Sequence, residues 1–215
     1  YSSADRLEEL LVAGGYSPTF VGLSNSDEGA GPPVAAQGGW KISNLTSAIS
    51  SIAALTPNTS FINIGTNDCV NYVPDIGTQM TSFLNGYASA LADPDHLYLV
   101  MVPINPGWFN AQSYSLLRNA ISAWCALAPT FRVFVDGNLI GMSGSDYNGD
   151  GTHWSLQGRN KVAAYQYAVM QTALAAPASG ALEYVIYGRK VDTEADWEPY
   201  QTVTGQGTNN AIVSN

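Results

Sequence analysis

Phe61-Ile62-Asn63-Ile64 runs directly into Gly65-Thr66-Asn67-Asp68, and the reading of this stretch decides the fold. A short apolar run closed by a glycine and a turn-forming Asn-Asp reads as a buried strand that ends in a loop. Downstream, Ile76, Met80, Phe83, Leu84, Tyr87 and Leu91 recur at helical spacing. Upstream, Ile42, Leu45, Ile49 and Ile52 mark another amphipathic helix, with Ser43 or Asn44 near its cap.

The alternation continues in both directions. Leu7, Leu10 and Leu11 predict a helix that Gly14-Gly15 ends, and Thr19–Leu23 reads as a short strand. His96–Val102 and Phe131–Val135 read as further strands. Leu117, Ala120, Ile121 and Trp124 predict a helix between those two, and Val162, Tyr165, Val169 and Ala173 a last long one. Near-continuous apolar strands separated by helices predict an α/β fold. Its architecture is three-layer α/β/α, with a central parallel sheet covered on both faces. Ligands bind such sheets at the carboxyl ends of the strands. Asn67 falls just past one strand end, and the loop after the last strand holds Asp150-Gly151-Thr152-His153.

The pattern changes after Ala175. Residues 176–180 read as a linker between a 1–175 domain and a β-rich tail over 181–215. In the tail, Tyr184–Tyr187 and Gln201–Thr204 alternate as antiparallel strands do, separated by a turn-like Asp192–Asp196 stretch. The tail vaguely resembles part of a fibronectin type III module and is too short for a complete one.

Composition narrows the partners. The chain has 215 residues, 46% hydrophobic and 12% charged, with eight Lys and Arg and a net charge of −9. The acidic balance and the lack of a basic cluster argue against nucleic acid and anionic membrane. No apolar run approaches the roughly 20 residues of a membrane span. Low charge with abundant Ser, Thr, Asn, Gly and Tyr suits a secreted, extracellular or virion-associated protein. The start at Tyr1 without a methionine points to a processed, trimmed or partial chain. Cys69 and Cys125 form either one disulfide or two half-buried thiols.

The chemistry-bearing residues are few. Of the two histidines, His96 starts a strand with no motif around it, whereas His153 lies three residues after Asp150. That spacing lets a carboxylate curl back within one loop to fix an imidazole tautomer and stabilise the imidazolium. Taken alone, Asn67 and Gly39 read as turn residues. Asp146-x-Asn148-x-Asp150-Gly151 imitates the start of a calcium loop, but Gln157 stands where the bidentate Glu belongs, so no metal is expected. Trp40, Tyr72, Trp108 and Trp154 lie on or near loops at the functional edge, either to stack on sugar rings or to fill gaps.

Three motifs in order carry a resemblance. Gly38-Gly39-Trp40-Lys41-Ile42, Gly65-Thr66-Asn67-Asp68 and Asp150-Gly151-Thr152-His153 are similar to the second, third and last motifs of the SGNH hydrolases, the GDSL-type esterases. The resemblance spans about the first 175 residues and is nearest to secreted carbohydrate esterases. It implies a flavodoxin-like fold and a serine esterase that removes small acyl groups, above all acetyl, from carbohydrate. It assigns Asp150 and His153 to the catalytic triad, and Gly39 and Asn67 to the oxyanion hole. It calls for no metal and no organic cofactor. The implied partner is a small-molecule or carbohydrate ester.

The family's nucleophile sits in a Gly-Asp-Ser motif on the first strand, and no Gly-Asp-Ser occurs here. The expectation is that the first strand is missing ahead of Tyr1 and that the nucleophile is unknown. Ser2 or Ser3 as a displaced nucleophile, and Ala211–Ser214 as a permuted first strand, rank below that. The alternative function is a non-catalytic carbohydrate-binding or structural module that reuses the fold.

Overall fold

The computed structural model describes residues 3–25, 32–35, 39–175, 184–188 and 198–203. Ser2, the 176–180 linker, the 192–196 turn and Ala211–Ser214 lie outside the described residues. The elements are α1 (Ala4–Ala13), β1 (Ser24–Asn25), β2 (Pro33–Val34), α2 (Ile42–Ala53), β3 (Thr59–Asn63) and α3 (Ile76–Leu91). After them come β4 (Leu97–Val102), α4 (Ala111–Ala126), β5 (Arg132–Asp136), α5 (Leu156–Ala175), β6 (Tyr184–Gly188) and β7 (Glu198–Val203).

β3, β4 and β5 form a parallel sheet in that order. The central strand shows why its sequence is apolar throughout. All six residues of Leu97–Val102 are buried, because alternate side chains enter different cores. Tyr98, Val100 and Val102 meet α2, α3 and α4, while Leu97, Leu99 and Met101 meet α5. The two crossovers, α3 and α4, thus lie on one face and α5 on the other, giving the three-layer α/β/α arrangement expected. α2 packs chiefly on α3, and α1 on α5 through Leu7, Leu11 and Ala163.

Thr19–Leu23 is not a strand of this sheet. Phe20 packs against α1 and α5, while Val21 and Leu23 are exposed. The strand pairing falls one step later, where Ser24–Asn25 runs antiparallel to Pro33–Val34. Apolar β-branched character favours a strand, but a strand forms only where a neighbour satisfies its N–H and C=O groups. Among the described residues that neighbour is the short β2. Ser43 and Asn44 lie near the cap of α2, as read from the sequence: the cap position is Lys41, whose N–H donates to Asn44 Oδ1 at 2.8 Å. β6 pairs antiparallel with β7, as the alternation in the tail predicts.

His96 is a core residue at the amino-terminal end of β4. It is fully buried, with Nε2 2.9 Å from Ser60 Oγ, which in turn lies 2.8 Å from Tyr87 OH. Burial pushes its pKa below the ordinary 6.5, against a weaker upward pull from Asp93. The unfolded chain therefore binds a proton at His96 more readily than the folded one. Its contribution to stability is complete above the unfolded pKa and is lost as pH falls below it. Unfolding stability should fall as the pH drops below about 6.5, by at most about 1.4 kcal/mol per pH unit from this group. In urea titrations below that pH, His96→Phe should flatten the slope; an unchanged slope would remove His96 as its cause.

Candidate functional site

The parallel strands point their carboxyl ends to one edge, and the loops after β3, β4 and β5 leave from it. The loop after β5 closes as a hairpin-like excursion. Asn148 N donates to His153 O at 2.7 Å, and Tyr147 and Trp154 form an antiparallel bridge. Gly151 takes the turn with φ +68°, a conformation that favours glycine. Within this turn Asp150 Oδ1 accepts the N–H groups of Thr152 and His153, both at 2.9 Å. Its Oδ2 lies 2.7 Å from His153 Nδ1.

One carboxylate thus organises the turn and orients the imidazole. The His153 ring and these two N–H donors hold the Asp150 carboxyl down at about 2. Both side chains are about half exposed, so the imidazole stays within reach of solvent and of a ligand.

A buried brace supports this loop. The Asp146 side chain is fully buried, and its Oδ2 accepts from Lys161 Nζ and Ser143 N, each at 2.7 Å. Its backbone carbonyl accepts Ser155 N at the start of α5, where a Cβ on Gly158 would come within 2.0 Å of it. The calcium-loop imitation fails for the same reason. Asp146 turns inward to an ammonium and Asp150 turns to His153, leaving no converging oxygen cage. Among the described residues no group of three or more His, Cys, Asp or Glu could hold a metal.

A second pair forms on the loop after β3. Asn67 Nδ2 donates to Trp40 O at 3.0 Å, joining that loop to the turn at Gly39, whose φ is +80°. The next residue completes the clamp. Asp68 Oδ2 accepts Ile42 N at 3.2 Å and so caps the first turn of α2. Burial pushes the Asp68 carboxyl up, while the Ile42 N–H and the nearby Lys41 charge pull it down. Sequence reading quoted Asp68 only as part of a motif. Its capping role depends on a contact across 26 residues that no local signal announces. Gly65 makes the strand-to-loop turn with φ +108°, and a Cβ there would meet Leu117 Cδ2 at 2.5 Å.

The structure therefore brings Asp150 to His153 and Asn67 to the Gly39–Trp40 turn, each on loops of the expected edge. Ser3 is not beside His153. It is buried and donates to Gln166 Oε1 at 2.7 Å. Gln166 lies ten residues into α5, about 15 Å along the helix axis from the end that follows His153. Cys69 and Cys125 are both buried free thiols, each pushed up to about 12 first by burial. The four loop aromatics divide. Trp40 and Trp154 are partly buried against the cores, whereas Tyr72 and Trp108 are exposed.

Neither a family model nor a curated sequence matches the chain. Solved structures do. A family 3 carbohydrate esterase from Clostridium thermocellum superposes with a TM-score of 0.66 at 22% identity, over 81% of this chain and 88% of that one. A carbohydrate esterase family 3 protein from Talaromyces cellulolyticus gives 0.66 at 19% identity, over 82% and 93%. A lipase/acylhydrolase from Enterococcus faecalis gives 0.60 at 13% identity, over 79% and 85%. The chain therefore carries the three-layer α/β/α fold of the SGNH-type esterases and acylhydrolases.

Proposed function

We propose that this protein is a serine esterase of the SGNH type that removes small acyl groups, acetyl foremost, from carbohydrate. The observation that carries this reading is the 2.7 Å contact of Asp150 Oδ2 with His153 Nδ1 on a loop at the functional edge. Likeness in fold to carbohydrate esterases supports the substrate class. Asp150 keeps the proton on Nδ1, which leaves Nε2 as the base. His153 Nε2 takes the proton of a serine hydroxyl as its oxygen attacks the ester carbonyl carbon. The carbonyl π electrons move onto oxygen as an oxyanion. Collapse expels the sugar oxygen, which receives the same proton from Nε2, and leaves an acyl-enzyme. Water then attacks by the same route and releases the carboxylic acid.

Asn67 and the Gly39 N–H are the proposed oxyanion donors. An amide carries two N–H groups, so the one given to Trp40 O leaves a second for the oxyanion. Each such donor is worth about 3–4 kcal/mol in the transition state. An acidic, low-charge chain with these substrates fits a secreted or extracellular setting. Among the described residues no helix is long and apolar enough to cross a membrane. The serine is not assigned, and the missing Gly-Asp-Ser favours the second reading, a non-catalytic carbohydrate-binding or structural module.

The test compares p-nitrophenyl acetate hydrolysis by the 215-residue chain and by a form extended upstream through a Gly-Asp-Ser segment. Activity confined to the extended form supports the esterase. Activity in neither favours the non-catalytic reading, and activity of the short chain would place the nucleophile within residues 1–215.

A further inference from the structure

We propose that Tyr72 and Trp108 form a binding platform for neutral pyranose rings beside the Asn67 loop. This rests on the carbohydrate-ester reading and names the surface that would hold the sugar chain. Tyr72 is 51% and Trp108 40% exposed, and Val70 beside them is 46% exposed. Single exposed apolar residues are ordinary; these three stand on two loops that hydrogen bonds join.

The loops are firmly joined. Asn110 N donates to Cys69 O at 2.8 Å, and Gln112 Nε2 to Tyr72 OH at 3.4 Å. Ser113 Oγ donates to Asn71 O at 2.9 Å and accepts Val73 N at 2.7 Å. Each aromatic ring is also held. The Trp108 ring meets buried Phe109 edge-on, with centroids 4.9 Å apart and planes at 83°. Gly107, with φ +97°, sets the turn before it, and its N–H donates to Asn105 Oδ1 at 2.8 Å. Rings fixed before binding lose little freedom when a ligand arrives.

The chemistry of the patch selects the ligand. Residues 69–74 and 103–117 contain no Asp, Glu, Lys or Arg, and amides and hydroxyls are their polar side chains; buried Asp68 and exposed Asp75 bound the first run, so what charge flanks it is negative. A pyranose ring has an apolar C–H face for aromatic rings and hydroxyls for such a rim. Nucleic acid would also stack on aromatic rings, but it needs cations along its backbone. Arg118, the first cation after this stretch, is taken by Asp136 at 2.8 Å.

The experiment uses the 215-residue chain and follows intrinsic fluorescence and ligand-observed NMR with xylohexaose and cellohexaose, with polygalacturonate as a charged control. At least one neutral oligosaccharide should bind, and Tyr72→Ala and Trp108→Ala should each weaken it about fivefold or more. Trp108→Tyr should restore part of the loss. No binding of either neutral oligosaccharide, or binding that both alanine variants leave intact, overturns the platform. Because the readout is binding, acetate hydrolysis without oligosaccharide binding removes the platform alone, and binding without hydrolysis in any form removes the esterase alone.

Discussion

His153→Ala should lower kcat/KM for p-nitrophenyl acetate by at least about a thousandfold in whichever form of the protein hydrolyses it. The imidazole has no substitute, because the other histidine is buried at the opposite end of the sheet, against Ser60. Asp150→Asn should cost up to about 10⁴ in kcat, since an amide in that place no longer enforces the Nδ1–H tautomer. Asp150 is depressed to about 2, so its carboxylate is ionised at every ordinary assay pH and discharges only as the pH falls toward that value. Loss of activity on acidification above about pH 4 is therefore not the discharge of Asp150. Retention of more than a tenth of the activity in His153→Ala would exclude the histidine as the general base.

Trp124→Ala should be among the most destabilising single changes, costing about 3–5 kcal/mol. The side chain is 2% exposed and joins three elements. Its ring meets Tyr98 of β4 edge-on with centroids 5.3 Å apart, and the Arg132 guanidinium of β5 lies 3.9 Å from the ring centroid. Its Nε1 donates to Asn85 Oδ1 of α3 at 2.9 Å. Truncation leaves a cavity, an unpaired amide oxygen on Asn85 and a cation without its aromatic face. Trp124→Phe keeps most of the packing and should lose considerably less. Urea unfolding measures both, and thermal unfolding should show a midpoint loss for the alanine variant on the order of 10 °C. A loss under about 1 kcal/mol would show that the surrounding helices collapse to fill the space.

What could be read from the sequence is what short-range geometry determines. The period of 3.6 in Ile76–Leu91 and the unbroken apolar run Leu97–Val102, short and closed by Pro103, mark a helix and a doubly covered strand, and both form. The Asp150–His153 pair belongs to the same class. Three residues and one turn bring the carboxylate to the ring.

Tertiary structure decided the rest. Thr19–Leu23 has strand composition, but it meets β2 at its end, where Leu23 N donates to Val34 O at 3.0 Å, and its anchor, Phe20, packs on helices instead. Asn67 reaches Trp40 and Asp68 caps α2 only because β3 and the start of α2 meet in the folded chain. Asp146 looks like the first ligand of a calcium loop until Lys161, fifteen residues on, neutralises it inside the protein. Trp40 and Trp154 cannot be told from Tyr72 and Trp108 by sequence. Whether an aromatic ring fills a gap or faces solvent depends on which other elements arrive beside it, and that is settled by packing between residues far apart in the chain.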